Sequence, residues 1–236
     1  MSDTPRFPPL MAGVAAIGEN DPFETACAMA VRGCEGGTVV HKVQADRLRA
    51  AIIFAPEVAT EKAIAMLPLC GVGFQNAVGA LAPPEVAVHL DWSGGIRVNG
   101  AHCGRLRVAA ADAVTDQVPD WLVVGLEVPI LQTECDPGTN PDVTALYEEG
   151  CAEVDPAHLL ESWARHCLVW INRWSDEGNA PVHAAWSGLL QGIGETVTRA
   201  GICGTFLGAD ERFGMLIRNG ETTHLVPMSN LLGESE

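Results

Sequence analysis

The run Asp91-Trp92-Ser93-Gly94-Gly95-Ile96-Arg97-Val98-Asn99-Gly100-Ala101-His102-Cys103-Gly104 reads as two tight turns around a short strand. Ser93-Gly94-Gly95 makes the first turn and Asn99-Gly100 the second. Asn-Gly is the strongest two-residue hairpin signal, because both positions accept positive φ. Strands are expected over 86–90, 96–98 and 103–109, followed by a long apolar strand over 121–131.

Upstream, residues 1–20 are rich in proline and glycine and are expected to meander. Asp21-Pro22 opens a helix, since aspartate caps and proline suits the first helical position; it ends near Gly33. Two strands follow between Gly36 and Pro56, with a short polar stretch, 41–49, between them. Thr60 is expected to cap a helix over 60–81, with Ile64, Leu67, Phe74, Val78 and Leu81 at helical spacing and a kink at Pro68. Downstream, residues 132–154 form an acidic loop, and Asp155-Pro156 caps a long helix striped by Leu159, Trp163, Cys167, Trp170 and Trp174. Tryptophans on one stripe belong to a core more often than to a binding site. A shorter helix over 181–190 leads to short strands near 205–207, 214–218 and 223–226. The class is α+β: a mixed sheet with packed helices over 1–192 and a small β domain over 193–236.

The net charge of −16 repels a phosphate backbone, so neither nucleic acid nor an anionic membrane is an expected partner. No apolar run of the ~20 residues that span a bilayer stands out. The start lacks a basic region and an apolar region, so a cytoplasmic location is expected. The eight cysteines show no paired ligand spacing, and His158 with Glu161 lacks a third ligand, so no metal site is expected.

The segment 91–104 resembles the K-W-P-N-D, N-G and R-K-L-A-G elements of biotin/lipoate protein ligases. Trp121-Leu122-Val123-Val124-Gly125-Leu126-Glu127-Val128 resembles that family's apolar strand ending in G-I-G-V-N. Gly204 to Ile217 resembles the small SH3-like barrel of biotin ligases, and the match runs in order over about 20–232. The resemblance implies a ligase catalytic domain with a β cap. In that family ATP activates biotin or lipoate to an acyl-adenylate, which passes to a lysine on an acceptor domain.

Against that pattern the cations are altered. His102 takes the place of the lysine of R-K-L-A-G, Asp91 that of the lysine of K-W-P-N-D, and Pro129 the asparagine of G-I-G-V-N. Adenylate chemistry needs positive charge where negative charge develops. The basic glycine-rich loop is absent, and Gly36-Gly37-Thr38 is a faint echo of the lipoate-type motif. The expected site takes His102 and Asp91 as catalytic positions. Its ligand-binding residues are Gly36, Gly37, Thr38, Trp92, Asn99, Cys103, Gly104, Arg105 and Gly125.

Three functions stay open. The first is binding of a small carboxylic acid (biotin- or lipoyl-like) or a nucleotide, with ATP, magnesium and biotin or lipoate as reactants only if ligase activity survives. The second is ATP-independent acyl transfer through Cys103. The third is a non-enzymatic scaffold that recognises an acceptor or other protein. A homodimer is a further expectation of the resemblance.

Overall fold

The computed structural model describes residues 5–111, 115–132 and 140–232. Strand β1 (Ala12–Ala15) lies where the chain was expected to meander. Its residues are exposed and carry no alternating pattern; it is a strand because it pairs in parallel with β2 (Thr38–Val43), Ala12 opposite Thr38. Helix α1 (Pro22–Val31) starts as expected, with Asp21 Oδ1 accepting from the amides of Phe23 and Glu24. The polar stretch after β2 is itself ladder: β3 (Arg47–Phe54) pairs antiparallel with β2 out to Val43 and Leu48.

The expected helix over 60–81 is two helices, α2 (Thr60–Ala63) and α3 (Met66–Leu81). Thr60 does not cap; Ala59 holds that position, and the Thr60 hydroxyl donates to the carbonyl of Gln117 at 3.1 Å. The interruption lies before Pro68 rather than at it. Pro68 falls in the first turn of α3, where a missing amide breaks no intrahelical bond. The span Thr60–Leu81 is long and apolar enough to cross a bilayer, and most of it is buried inside the protein.

Strands β4 (Val88–Leu90), β5 (Gly95–Val98), β6 (Ala101–Ala110) and β7 (Leu122–Pro129) complete a seven-stranded mixed sheet of order β1-β2-β3-β7-β6-β5-β4. Helix α4 (Pro156–Glu177), capped by Asp155, and α5 (Asn179–Ser187) follow. On one face of the sheet α3 and α4 pack against Leu48, Ile52, Val124 and Leu126. Trp163 is fully buried there and donates to the carbonyl of Cys70 at 3.0 Å, while Trp170 and Trp174 are partly buried at its margin. On the other face α1 covers Val40, Ala51, Ile53 and Val123. Its ten residues reach about 15 Å, less than the length of the strands beneath it. Beyond its end the register aligns Lys42, Arg49, Glu127 and Arg105 across four strands.

The C-terminal part is a four-stranded antiparallel sheet of β8 (Thr196–Arg199), β9 (Ile202–Ala209), β10 (Met215–Asn219) and β11 (Thr222–Val226), in order β11-β10-β9-β8. A short 3-10 helix, Met228–Leu232, ends the described chain. Phe206, Phe213, Ile217 and Met228 share one continuous core with Trp92 and Trp186, so this sheet is fixed to the larger domain by buried surface.

Candidate functional site

A cleft of about 920 Å³ opens beside β6. Strand β5 pairs with β6 as far as Arg105, and the Leu106 amide donates to the carbonyl of Gly94 at 2.7 Å. The cleft follows β6 from His102 to Ala109, past the point where that pairing stops. Phe23 and Glu24 of α1 and Leu67 of α3 bound it, with Asp91, Ser93 and Gly95 at the turn. Arg199, Leu231 and Leu232 reach it from the C-terminal part.

One backbone feature sets which side chains face the cleft. Between the pairs Gly95–Arg105 and Arg97–His102, β5 advances two residues and β6 three. The extra residue is a β-bulge. Gly104 lies within it at φ 107, and a Cβ there would sit 2.2 Å from the carbonyl oxygen of Glu127. Side chains alternate along a regular strand, so His102 and Arg105 would otherwise face opposite ways. The bulge brings both to the cleft. Cys103 then points inward and is fully buried in the main core. Burial raises its thiol pKa far above the ordinary value, with the nearby Cys151 and Glu149 adding in the same direction.

The charges of the site are paired. Arg97 Nε donates to Asp91 Oδ1 at 2.9 Å, and Arg97 Nη2 lies 2.7 Å from His102 Nε2. A guanidinium has donors and no acceptor, so this contact uses the Nε2 lone pair and assigns the ring proton to Nδ1. Nδ1 faces Asp91 Oδ2 across 3.7 Å. The His102 backbone is held from its other side, its amide donating to Asp142 and its carbonyl accepting from Thr144, both at 2.8 Å. Further along, Glu127 accepts from Arg47 at 3.1 Å and from Arg105 at 3.4 Å. Arg107 Nη2 donates to both carboxylate oxygens of Asp21, at 2.9 and 3.0 Å, with its guanidinium 4.5 Å from the centre of the Phe23 ring.

Of the residues expected at the site, Asp91, His102, Gly104 and Arg105 line the cleft. The others do not. Trp92 was expected to bind ligand; it is buried and donates from Nε1 to the carbonyl of Phe213 at 2.8 Å, because the C-terminal sheet covers it. Asn99 is a turn residue at φ 50, accepting from the Ala87 amide and donating to Glu149. Thr38 opens β2 just after Gly36 and Gly37, and β2 lies about 14 Å from β6 across three inter-strand spacings. Gly37 has φ 87, and a Cβ there would lie 2.2 Å from the Leu10 carbonyl oxygen, so its need for glycine is local. Gly125 is covered by the protein itself: a Cβ there would lie 2.6 Å from the Phe23 ring. Arg97 was not placed at the site, although a two-residue Asn99-Gly100 turn puts 97 opposite 102. Asp21, Phe23 and the C-terminal leucines had no signal of their own.

Residues 7–188 match the model of the biotin/lipoate A/B protein ligase family. The chain belongs to that family. Residues 193–234 match a domain family of unknown function. Among solved structures, a biotin protein ligase-like protein of unknown function from a Silicibacter species is 58% identical, with 97% of this chain and 99% of that one covered and a TM-score of 0.92. Biotin protein ligase from Aquifex aeolicus, in complex with biotin and ATP, is 16% identical, with 91% and 95% covered and a TM-score of 0.70. That from Leishmania major, in complex with biotin, is 13% identical, with 93% and 98% covered and a TM-score of 0.56. At these identities the ligases share the fold with this member of the family. No curated protein matches the chain.

Proposed function

We propose that this member of the biotin/lipoate A/B protein ligase family binds a small carboxylic acid, biotin- or lipoyl-like, in the cleft along β6 and does not ligate it by the usual adenylate route. The observation that carries the reading is the Asp91–Arg97–His102 cluster. By resemblance, His102 and Asp91 stand where the family has lysines. The Nε2 lone pair of His102 is already taken by Arg97, and the Arg97 charge is balanced by Asp91 at 2.9 Å. Such a cluster offers little net positive charge to a developing oxyanion or to a triphosphate. A nucleotide, the other ligand the fold suggests, would also meet Glu24 at the cleft wall. Arg105 and Arg107, held beside Glu127 and Asp21, are the guanidinium groups that a carboxylate in the cleft would meet.

Acyl transfer through Cys103 has no support in the geometry. A thiolate is the nucleophile in such chemistry, and Cys103 is buried, turned from the cleft and held protonated by burial.

Calorimetry with biotin, lipoate and octanoate, each with and without Mg-ATP, tests the reading. The expected result is binding of at least one acid with an affinity indifferent to ATP. Binding that tightens on adding Mg-ATP would restore adenylate chemistry to the site. No heat with any acid would move the function to recognition of a protein partner.

A further inference from the structure

We infer that the C-terminal β domain, by seating Leu231 and Leu232 in the cleft, forms the wall that reads the hydrocarbon tail of the bound acid. The inference rests on the cleft being an acid-binding site, and it gives residues 193–234 a role that their family description leaves open. The lining alternates along β6. Arg105 and Arg107 stand on the side that α1 partly covers, with His102 brought there by the bulge, while Leu106 and Val108 stand on the α3 side, with Leu67 across from them; Arg199 of β8 also lines the cleft. Leu231 and Leu232 lie in the 3-10 helix, which packs against β6 and α2. Both leucines are partly buried, so each keeps apolar surface turned to solvent in the cleft.

This wall is anchored. Val226 and Met228, just before the leucines, are 3% and 2% exposed and belong to the main core. The Phe213 carbonyl is tied to the Trp92 indole beneath the turn that carries Asp91. A cleft with Arg105 and Arg107 on one side and aliphatic groups with the anchored leucines on the other fits a carboxylic acid with a flexible apolar tail. The tail gains by burying methylenes against the leucines, and the carboxylate stays with the arginines.

The test is calorimetry with the straight-chain series butanoate, hexanoate, octanoate and decanoate on the full chain. Its variants are Leu231→Ser/Leu232→Ser and, as a conservative control, Leu231→Met/Leu232→Met. In the unaltered protein affinity should rise about four-fold per methylene until the wall is covered. The serine variant should bind butanoate equally well but lose most of that rise, while the methionine variant should keep it. Thermal unfolding confirms that both variants are folded. An undiminished rise in the serine variant, or a methionine variant as flat as the serine one, would overturn the role of the C-terminal wall and leave the acid-binding reading standing. If the unaltered protein binds no acid in the series, the reading and this inference fall together.

Discussion

The two faces of the seven-stranded sheet are built to different ends. Under α3 and α4 the strands present Leu48, Ile52, Val124 and Leu126 to a continuous apolar core, with Trp163 and Phe74 filling it from above. Under α1 the apolar cover stops after Val40, Ala51, Ile53 and Val123, and the next row of the same strands is Lys42, Arg49, Glu127 and Arg105. A short helix is all that separates the two outcomes. The covered face holds the fold together, whereas the half-covered face carries a row of charges of which Arg105 lines the cleft.

Substitutions on each face test that division, beginning with the largest effect. Trp163→Ala should cost about 3–5 kcal/mol, read from urea unfolding, because it leaves a large cavity and removes the indole's hydrogen bond to the Cys70 carbonyl. A cost no greater than that of changes under α1 would break the comparison. Gly104→Ala should cost about 1–3 kcal/mol through strain at its positive φ, and should lower acid affinity by turning His102 or Arg105 away. Unchanged affinity there would detach the bulge from binding. Asp21→Ala should cost about 1 kcal/mol as a lost helix cap, and should free Arg107 so that carboxylate binding tightens. Weaker acid binding would show that Asp21 positions Arg107 rather than competing for it.

The smallest expected effects are the pH limbs of stability. Burial lowers the pKa of His41, so the unfolded state takes up protons first as pH falls below 6.5, and stability declines there. Burial raises the pKa of Cys103, so the unfolded state loses its proton first above 9.0, and stability declines as pH climbs through that region. Urea titrations across pH should show both limbs, with His41→Gln reducing an acid limb that His166 shares and Cys103→Ala reducing an alkaline limb that Cys27, Cys151 and Cys167 share. An alkaline limb unchanged by Cys103→Ala would mean that the thiol is more accessible than its burial indicates.

What could be read beforehand is what short spacing encodes. Asp21-Pro22 and Asp155-Pro156 mark helix starts because a carboxylate and a fixed φ act within one turn. Asn99-Gly100 fixes a hairpin, and that hairpin places Arg97 against His102. Strand β1 escaped notice because its pairing with β2, and no pattern of its own, makes it a strand. The link of Asp21 to Arg107 joins residues 86 apart, and the Phe23 ring over Gly125 likewise depends on how α1 settles on the sheet. Four of the expected site residues reached the cleft because they lie on one hairpin and its turn. Cys103, from the same hairpin, did not, since parity along a strand separates neighbours as firmly as distance, and Trp92 did not because the C-terminal sheet covers it.

Gly104 carries this further. His102 and Cys103 are adjacent, and a single torsion decides which of them the cleft contains. With Gly104 at φ 107 the imidazole faces outward and the sulfur is sealed in the core. Were residue 104 to take ordinary extended geometry with Arg105 held in place, the alternation would put the sulfur outside and the imidazole within. The reactive repertoire of the cleft, an aromatic nitrogen or a soft nucleophile, thus turns on the handedness of one residue that has no side chain.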